Sequence, residues 1–231
     1  MKIYNPFRDL TKFEWTLWIS SLAVVSASYL LSPDKDILTL LTSLIGVTAL
    51  IFVAKGYVIG QALCVLFALV YGIISFYFRY YGEMITYLCM SAPSAIAAMI
   101  SWIKNPYRET AEVKVATLTR KKLFLTAAMT VVVTIAFYFI LRALNTANLA
   151  FSTLSVATSF FASALTFLRS PWYAIAYAAN DLVLIVLWGM ATAADISYLP
   201  MIFCFLMFLV NDLYGFFNWC RIRKRQFIGN L

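Results

Sequence analysis

The chain has 231 residues, of which 63% are hydrophobic and 12% are charged. Soluble domains contain about 25% charged residues, so this composition excludes a soluble fold and indicates an all-α, polytopic membrane protein. The net charge of +8 requires no nucleic-acid partner, because most of the excess flanks apolar stretches, where the cytoplasmic loops of membrane proteins collect Lys and Arg.

Eight apolar stretches of about 20 residues follow one another along the chain, and this is the length of a helix that crosses a bilayer. We therefore predict eight transmembrane helices in a single domain. Their predicted bounds are 13–31, 36–55, 57–78, 82–103, 122–143, 147–168, 172–192 and 197–219. No small-residue cleavage site follows the first stretch before Pro33, which favours a retained helix over a signal peptide.

The Lys and Arg residues are distributed unevenly between the two sides of these helices. With the N-terminus inside, fifteen of the 18 lie on the inner side, and the exceptions are Lys35, Arg79 and Arg142. This bias predicts that both termini are cytoplasmic. An odd number of helices would place the basic loop 104–122 and the basic tail on opposite faces, so the charge pattern favours an even number.

The order of helices in the stretch 36–103 recurs in the stretch 147–225. Each has two helices joined by a tight turn that carries a cation, at Lys55 and at Arg169, and a third helix that ends in a tryptophan, Trp102 or Trp219. A single helix between the two stretches gives both triplets the same direction across the membrane. A chance similarity of spacing is the alternative. The predicted division is an accessory helix in 1–35, repeat one in 36–103, a cytoplasmic loop and linker helix in 104–146, and repeat two in 147–225.

Polar side chains inside the predicted spans of repeat two mark a candidate binding site. Asn180 and Trp188 lie at i and i+8 on one helix face, and Asn211, Tyr214 and Asn218 lie at i, i+3 and i+7 on the next helix. Polar groups in hydrocarbon usually face the bundle interior or a wet cavity, and repeat transporters bind their substrates between the repeats. Hydrogen bonds between helices alone are the alternative reading of the asparagines.

The first repeat contributes Gln61 and a cluster of aromatic residues at its outer end. The cluster surrounds Gly82, Glu83 and Met84 and consists of Tyr71, Phe76, Tyr77, Phe78, Tyr80, Tyr81 and Tyr87. It suits a vestibule that stacks a planar ring, and an aromatic belt at the membrane surface is the alternative. Amides, Trp and Tyr together suit a ring that bears hydroxyl groups, as in nucleosides and sugars, and a cationic ring would gain further from the aromatic faces.

Nothing in the sequence indicates an enzyme, a metal site or a cofactor. The chain has no His, and its four Cys show no metal-ligand spacing. Asp181 and Asp212 are the carboxylates deepest in the predicted spans, so proton or sodium coupling stays open as an alternative mechanism.

Four segments resemble the PnuC family of nicotinamide riboside (vitamin B3) transporters. They are Tyr173 to Trp188, Asn211 to Trp219, Tyr80 to Met84 and Ser101 to Pro106. The resemblance covers roughly residues 36–225 and both repeats.

The resemblance implies a fold similar to that of SWEET sugar transporters, with three helices, a linker helix and three further helices. It also implies a homotrimer in the cytoplasmic (inner) membrane of a bacterium, and facilitated diffusion of nicotinamide riboside with metabolic trapping by phosphorylation in the cytoplasm. The site residues carried over are Gln61, Asn180, Trp188, Asn211, Tyr214 and Asn218. Thiamine, riboflavin or a deoxynucleoside is the alternative substrate, and ion-coupled symport is the alternative mechanism.

Overall fold

A computed structural model describes residues 5–33, 36–77 and 81–229, and these residues form eight long helices and no strand. The helices are α1 (Lys12–Leu31), α2 (Ile37–Ala54), α3 (Val58–Tyr77), α4 (Tyr81–Ile103), α5 (Arg120–Ala143), α6 (Leu149–Phe167), α7 (Trp172–Ala194) and α8 (Leu199–Ile228). The all-α fold predicted from the sequence is confirmed, and each predicted span corresponds to one helix.

Within the described part of the chain, seven helices, α2 to α8, are long and apolar enough to cross a membrane. Helix α1 is less apolar, but it has 20 residues and runs antiparallel to α2. Trp18 donates a hydrogen bond to Thr48 near the middle of the pair, at 3.1 Å, and Tyr29 donates to the Asp36 carbonyl at one end. Because α1 lies along α2, and α2 is long and apolar enough to cross the membrane, α1 is placed to cross it as well.

Two helices differ from their predicted form. Helix α4 contains a π-helical turn, Thr86–Ser91, which ends two residues before Pro93. Proline has no backbone N–H and cannot continue the regular hydrogen-bond pattern. Helix α8 continues past the predicted end at residue 219, because the Gln226 amide bonds both to the Val113 carbonyl (3.0 Å) and to the Val115 N–H (2.9 Å). Hydropathy does not detect this extension, which is rich in Arg and Lys.

Six helices form a closed ring in the order α2, α3, α4, α6, α7, α8 and back to α2. Helix α5 packs on the outside of the ring against α6, and α1 packs outside against α2 and α8. The two triplets, α2–α4 and α6–α8, meet reciprocally: the first helix of each contacts the third helix of the other. Such reciprocity is what a two-fold axis between two parallel repeats requires, with α5 as the connecting helix.

Two tryptophans form equivalent hydrogen bonds between the triplets. The Trp219 indole at the end of the second triplet donates to the Val53 carbonyl near the end of α2, at 2.9 Å. The Trp102 indole at the end of the first triplet donates to the Thr166 carbonyl near the end of α6, at 3.0 Å. Each triplet is therefore fastened to the other by an equivalent bond.

The turns that follow α2 and α6 also correspond. Gly56 (φ 71°) and Arg169 (φ 56°) each adopt the left-handed conformation that closes the turn. Their carbonyls accept hydrogen bonds from Val113 (2.9 Å) and Ala116 (3.0 Å) of the loop 104–119, which lies across both turns. Arg169 is therefore the structural equivalent of Gly56. The sequence pattern had matched Arg169 to Lys55, which is one residue earlier.

The two faces of the bundle differ in charge. Of the fifteen Lys and Arg residues that the structure describes, fourteen lie on the face that carries the loop 104–119 and the end of α8, and Arg142 lies on the opposite face. We call these the cation-rich face and the cation-poor face.

Candidate functional site

A cavity of about 690 Å³ lies between α3, α4, α6, α7 and α8, with the end of α5 at its edge, in the half of the bundle nearer the cation-poor face. Its mouth lies near Tyr81 at the start of α4 and near Asn145 and Tyr198, which lie in the connections on that face. Along α7 it extends from Ala194 to Leu184, or about 15 Å at 1.5 Å per residue. Cavities of about 300 to 1,000 Å³ enclose small organic ligands.

Aromatic rings form two walls of the cavity. Tyr71 and Tyr87 lie on one side, with ring centroids 4.4 Å apart, and Tyr81 lies above them at the mouth. Trp188 and Tyr198 lie on the α7 side, with centroids 5.5 Å apart. The structure thus places part of the predicted aromatic vestibule, Tyr71, Tyr81 and Tyr87, on the cavity wall. Of the remaining predicted members, Phe78 and Tyr80 lie outside the described residues.

Hydroxyl groups line the α6 side of the cavity. Ser152, Ser155 and Ser159 follow one another at i, i+3 and i+7 on a single face of α6. At the mouth, the buried Thr146 hydroxyl has no hydrogen-bond partner among the described residues. The sequence analysis missed this stripe, although its helical spacing was the signal that could have revealed it.

Glu83 contributes a carboxylate to the same cavity. It lies in the first turn of α4, where its Oε2 accepts a hydrogen bond of 3.1 Å from the Tyr71 hydroxyl. The combination of aromatic faces, hydroxyl groups and one carboxylate suits a planar ring attached to a hydroxylated group.

Two of the predicted site residues lie at or next to this cavity. Trp188 lines it directly. Asn180 lies one layer behind, where its Oδ1 accepts hydrogen bonds from Thr158 (2.8 Å) and from Ser155 (3.4 Å). Asn180 therefore supports a serine that lines the cavity.

Two further predicted residues, Asn211 and Tyr214, face the accessory helix α1. The Asn211 amide donates to the Ser21 hydroxyl at 3.0 Å, and the Tyr214 hydroxyl donates to Glu14 Oε1 at 2.7 Å. Glu14 also pairs with Lys55 at 3.2 Å. These contacts hold α1 against α8 and α2, outside the ring.

The last two predicted residues also lie away from the cavity wall. Asn218 donates to the Ala54 carbonyl at 2.9 Å and so closes the end of α2. Gln61 is buried on α3, one turn from the cation-rich face. The six residues thus do not share one cavity in this conformation, and substrate contact by all six stays a prediction.

The half of the ring nearer the cation-rich face is closed by large side chains. The rings of Trp102 and Trp219 meet with centroids 5.3 Å apart, and both side chains are completely buried. Val53, Leu165 and Tyr173 pack around them in the same core cluster. In the part of the chain that the structure describes, no comparable closure separates the cavity from the cation-poor face.

Two buried carboxyl groups lie between the cavity and this closure. Asp181 on α7 and Asp212 on α8 are close enough to interact, and Asp181 Oδ2 has no hydrogen-bond partner among the described residues. Their electrostatic neighbours include the cavity residue Tyr87 above and Tyr173 of the closure below. The pair therefore has neighbours both on the cavity wall and in the closure.

Two parallel helix triplets around a central cavity, open on one side of the membrane and closed on the other, define a membrane transporter of the repeat-built class. The model of the nicotinamide mononucleotide transporter family matches residues 36–221, and the chain belongs to that family. It is a family of transporters and not of enzymes.

Similar proteins support this placement over nearly the whole chain. The nicotinamide riboside transporter PnuC of Neisseria mucosa is 27% identical over 225 residues, which cover 95% of this chain and 85% of the relative. PnuC of Haemophilus influenzae is 24% identical over 212 residues and covers 90% of each chain. A crystal structure of the vitamin B3 transporter PnuC superposes with a TM-score of 0.79 at 27% identity and covers 94% of both chains.

Proposed function

We propose that this protein carries nicotinamide riboside across the cytoplasmic membrane of a bacterium by facilitated diffusion. The observation that carries the proposal is the cavity, whose aromatic and hydroxyl walls match the two halves of this molecule. The names of the two relatives, both nicotinamide riboside transporters, support the same substrate.

The two halves of the substrate require different surroundings. The nicotinamide ring is planar and positively charged in the riboside, so it gains from the faces of Tyr and Trp rings such as Tyr87 and Trp188. The ribose hydroxyls donate and accept hydrogen bonds, and the serine stripe of α6 offers groups that can do both.

Transport then requires that the closure opens while the cavity mouth closes. The equivalent bonds of Trp102 and Trp219 fasten the triplets to each other near the cation-rich face, so movement of repeat one (36–103) against repeat two (147–225) would part the two rings. Phosphorylation in the cytoplasm would trap the delivered riboside and maintain its inward gradient.

We further propose that the cation-rich face is cytoplasmic, so that both termini lie in the cytoplasm. The support is the charge difference between the faces, because cytoplasmic loops of membrane proteins collect Lys and Arg. In this orientation the cavity is open to the periplasm, the compartment from which a nutrient arrives.

A homotrimer is also part of this proposal. Helix α5 packs on the ring through α6, and its opposite face exposes large apolar side chains such as Phe124, Val132 and Phe139. Such a face suits lipid or a second copy of the chain. Native mass spectrometry of the protein in lipid nanodiscs measures this directly, and a mass of three chains is the expected result.

Uptake of radiolabelled nicotinamide riboside into proteoliposomes tests the main proposal. We expect saturable uptake that competes with unlabelled riboside. Trp188→Ala removes an aromatic cavity wall and should weaken uptake strongly, whereas Trp172→Ala, a half-exposed Trp on the same helix, is the matched control. Competition by thiamine, riboflavin or a deoxynucleoside with equal strength would point to the alternative substrates.

Ion-coupled symport is the second candidate, and the buried pair Asp181 and Asp212 is the observation that favours it. Buried ionisable groups in membrane spans often bind coupling ions or protons. Accumulation of riboside above equilibrium only with a proton or sodium gradient would support symport, and equal equilibration without a gradient would support facilitated diffusion.

A further inference from the structure

The cavity has a one-sided distribution of charge. Among the described residues that line it, Glu83 is the single carboxylate, and there is no Lys or Arg. Arg142, the described cation on this face, is not among the lining residues. Among the described lining residues, a ligand in the cavity therefore meets one carboxyl group and no cationic side chain.

Glu83 is held in place by its neighbours. The Tyr71 hydroxyl donates to Oε2 at 3.1 Å, and no other hydrogen bond reaches the carboxylate from the described residues. Oε2 is thus bonded to Tyr71, while Oε1 has no hydrogen-bond partner among the described residues and can contact a ligand.

Aromatic faces surround the same region. Tyr71, which bonds Glu83, packs against Tyr87 with ring centroids 4.4 Å apart, and Tyr81 lines the mouth two residues before Glu83. A carboxylate among electron-rich rings is a favourable environment for a delocalised cation and a poor one for an anion. Hydroxyl groups alone would not distinguish a charged ring from a neutral ring of the same shape.

We propose that Glu83 is a charge-selecting residue, which makes the cavity prefer a ligand with a positively charged ring over its neutral counterpart of the same shape. The inference rests on the proposed function, because nicotinamide riboside carries its positive charge on the pyridinium ring. Addition of hydride to that ring gives the reduced riboside, which is neutral and keeps the ribose and the amide. The two forms are therefore a matched pair of probes for charge.

The test is equilibrium binding of oxidised and reduced nicotinamide riboside to the purified full-length protein in nanodiscs, measured by competition against the radiolabelled oxidised form. We expect the wild-type protein to bind the oxidised form at least about tenfold more tightly, as one desolvated charge contact allows. In Glu83→Gln, which keeps the shape of the side chain, the oxidised form should lose most of this advantage while the affinity for the reduced form changes little.

Asp195→Asn is the matched control. Asp195 is an exposed acid on the same face, next to the cavity residue Ala194 but not among the lining residues, and this variant removes the same charge. It should keep the tenfold preference, which would exclude a general effect of the surface charge.

The outcomes separate the two proposals. An unchanged preference in Glu83→Gln, or an equal loss in Asp195→Asn, overturns the role of Glu83 and leaves the proposed function intact. Should Glu83→Gln fail to fold, the wild-type ratio still decides, because equal affinity for the two forms overturns charge selection. Binding of neither form by the wild-type protein overturns the proposed function, and this inference with it.

Discussion

The same six helices form both halves of the ring. The half near the cation-poor face, the open half, holds a cavity, whereas the half near the cation-rich face, the closed half, is filled by side chains. In the closed half, the rings of Trp102 and Trp219 fill the axis and each bonds a carbonyl of the opposite triplet. In the open half, the residues that face the axis include the small side chains Ser155 and Ser159. The large rings of the closed half meet across the axis, whereas those of the open half stand on opposite walls of the cavity.

The largest expected effect comes from removal of a closing tryptophan. Trp219→Ala and Trp102→Ala should each lower the free energy of unfolding by about 3 to 5 kcal/mol, because a large buried side chain leaves a void. Thermal unfolding in detergent measures this, with the half-exposed Trp172→Ala as the control. A loss in only one of the two closing variants would contradict the equivalence of the triplets.

A pair of glycines tests how tightly each half is packed. In the closed half, a Cβ on Gly60 would lie 2.5 Å from the Val53 backbone nitrogen, so Gly60→Ala should cost about 1 to 3 kcal/mol. In the open half, a Cβ on Gly189 would meet nothing within 4 Å, so Gly189→Ala should stabilise α7 by roughly 0.5 to 1 kcal/mol. The same unfolding measurement compares them, and destabilisation by Gly189→Ala would be the unexpected result.

A smaller effect is expected at Tyr214, which the sequence analysis placed in the binding site and the structure places against α1. Tyr214→Phe removes the hydrogen bond to Glu14 and should cost about 1 to 2 kcal/mol, because the acceptor is buried and bears charge. We expect an unchanged KM for riboside uptake, since the ring lies outside the cavity. A raised KM with normal stability would instead restore Tyr214 to the binding site.

The smallest effect concerns the two equivalent turns. Arg169 holds a positive φ that glycine adopts without strain, so Arg169→Gly should raise the free energy of unfolding by up to about 1 kcal/mol. Gly56→Ala, at the equivalent position, should lower it by a similar amount, since its added Cβ meets ordinary contacts and only the backbone is strained. Equal signs for the two changes would argue against the correspondence of the turns.

Hydropathy and charge were sufficient to predict the eight helices, because each lies in hydrocarbon and must be apolar over about 20 residues. Hydropathy and charge were insufficient where backbone geometry or a long-range hydrogen bond determines the structure. The π turn of α4 lies close to Pro93, and hydropathy does not report such a change of hydrogen-bond pattern. The end of α8 is held by Gln226 and the loop 104–119, a long-range contact that no local pattern reveals.

The site was predicted less completely than the fold. Helical periodicity shows which residues share a face of a helix, but not which neighbouring helix that face meets. Asn211 and Tyr214 share a face as predicted, and that face meets α1. The serine stripe went unnoticed because Ser commonly occurs in membrane helices, where its hydroxyl bonds to the backbone of its own helix. Trp188 was predicted because it shares a helix face with Asn180, and Tyr71 and Tyr87 because they belong to an aromatic cluster around Gly82, Glu83 and Met84.

The account rests on a substrate cavity that is open on the cation-poor face. The most direct measurement is labelling of Ser159→Cys, at the deep end of the serine stripe, in a protein whose native cysteines are replaced by alanine. A membrane-impermeant maleimide is added to sealed vesicles of known orientation. We expect labelling from the cation-poor face, slowed in a saturable manner by nicotinamide riboside. Labelling from the cation-rich face alone, or labelling that the riboside does not slow, would contradict the account.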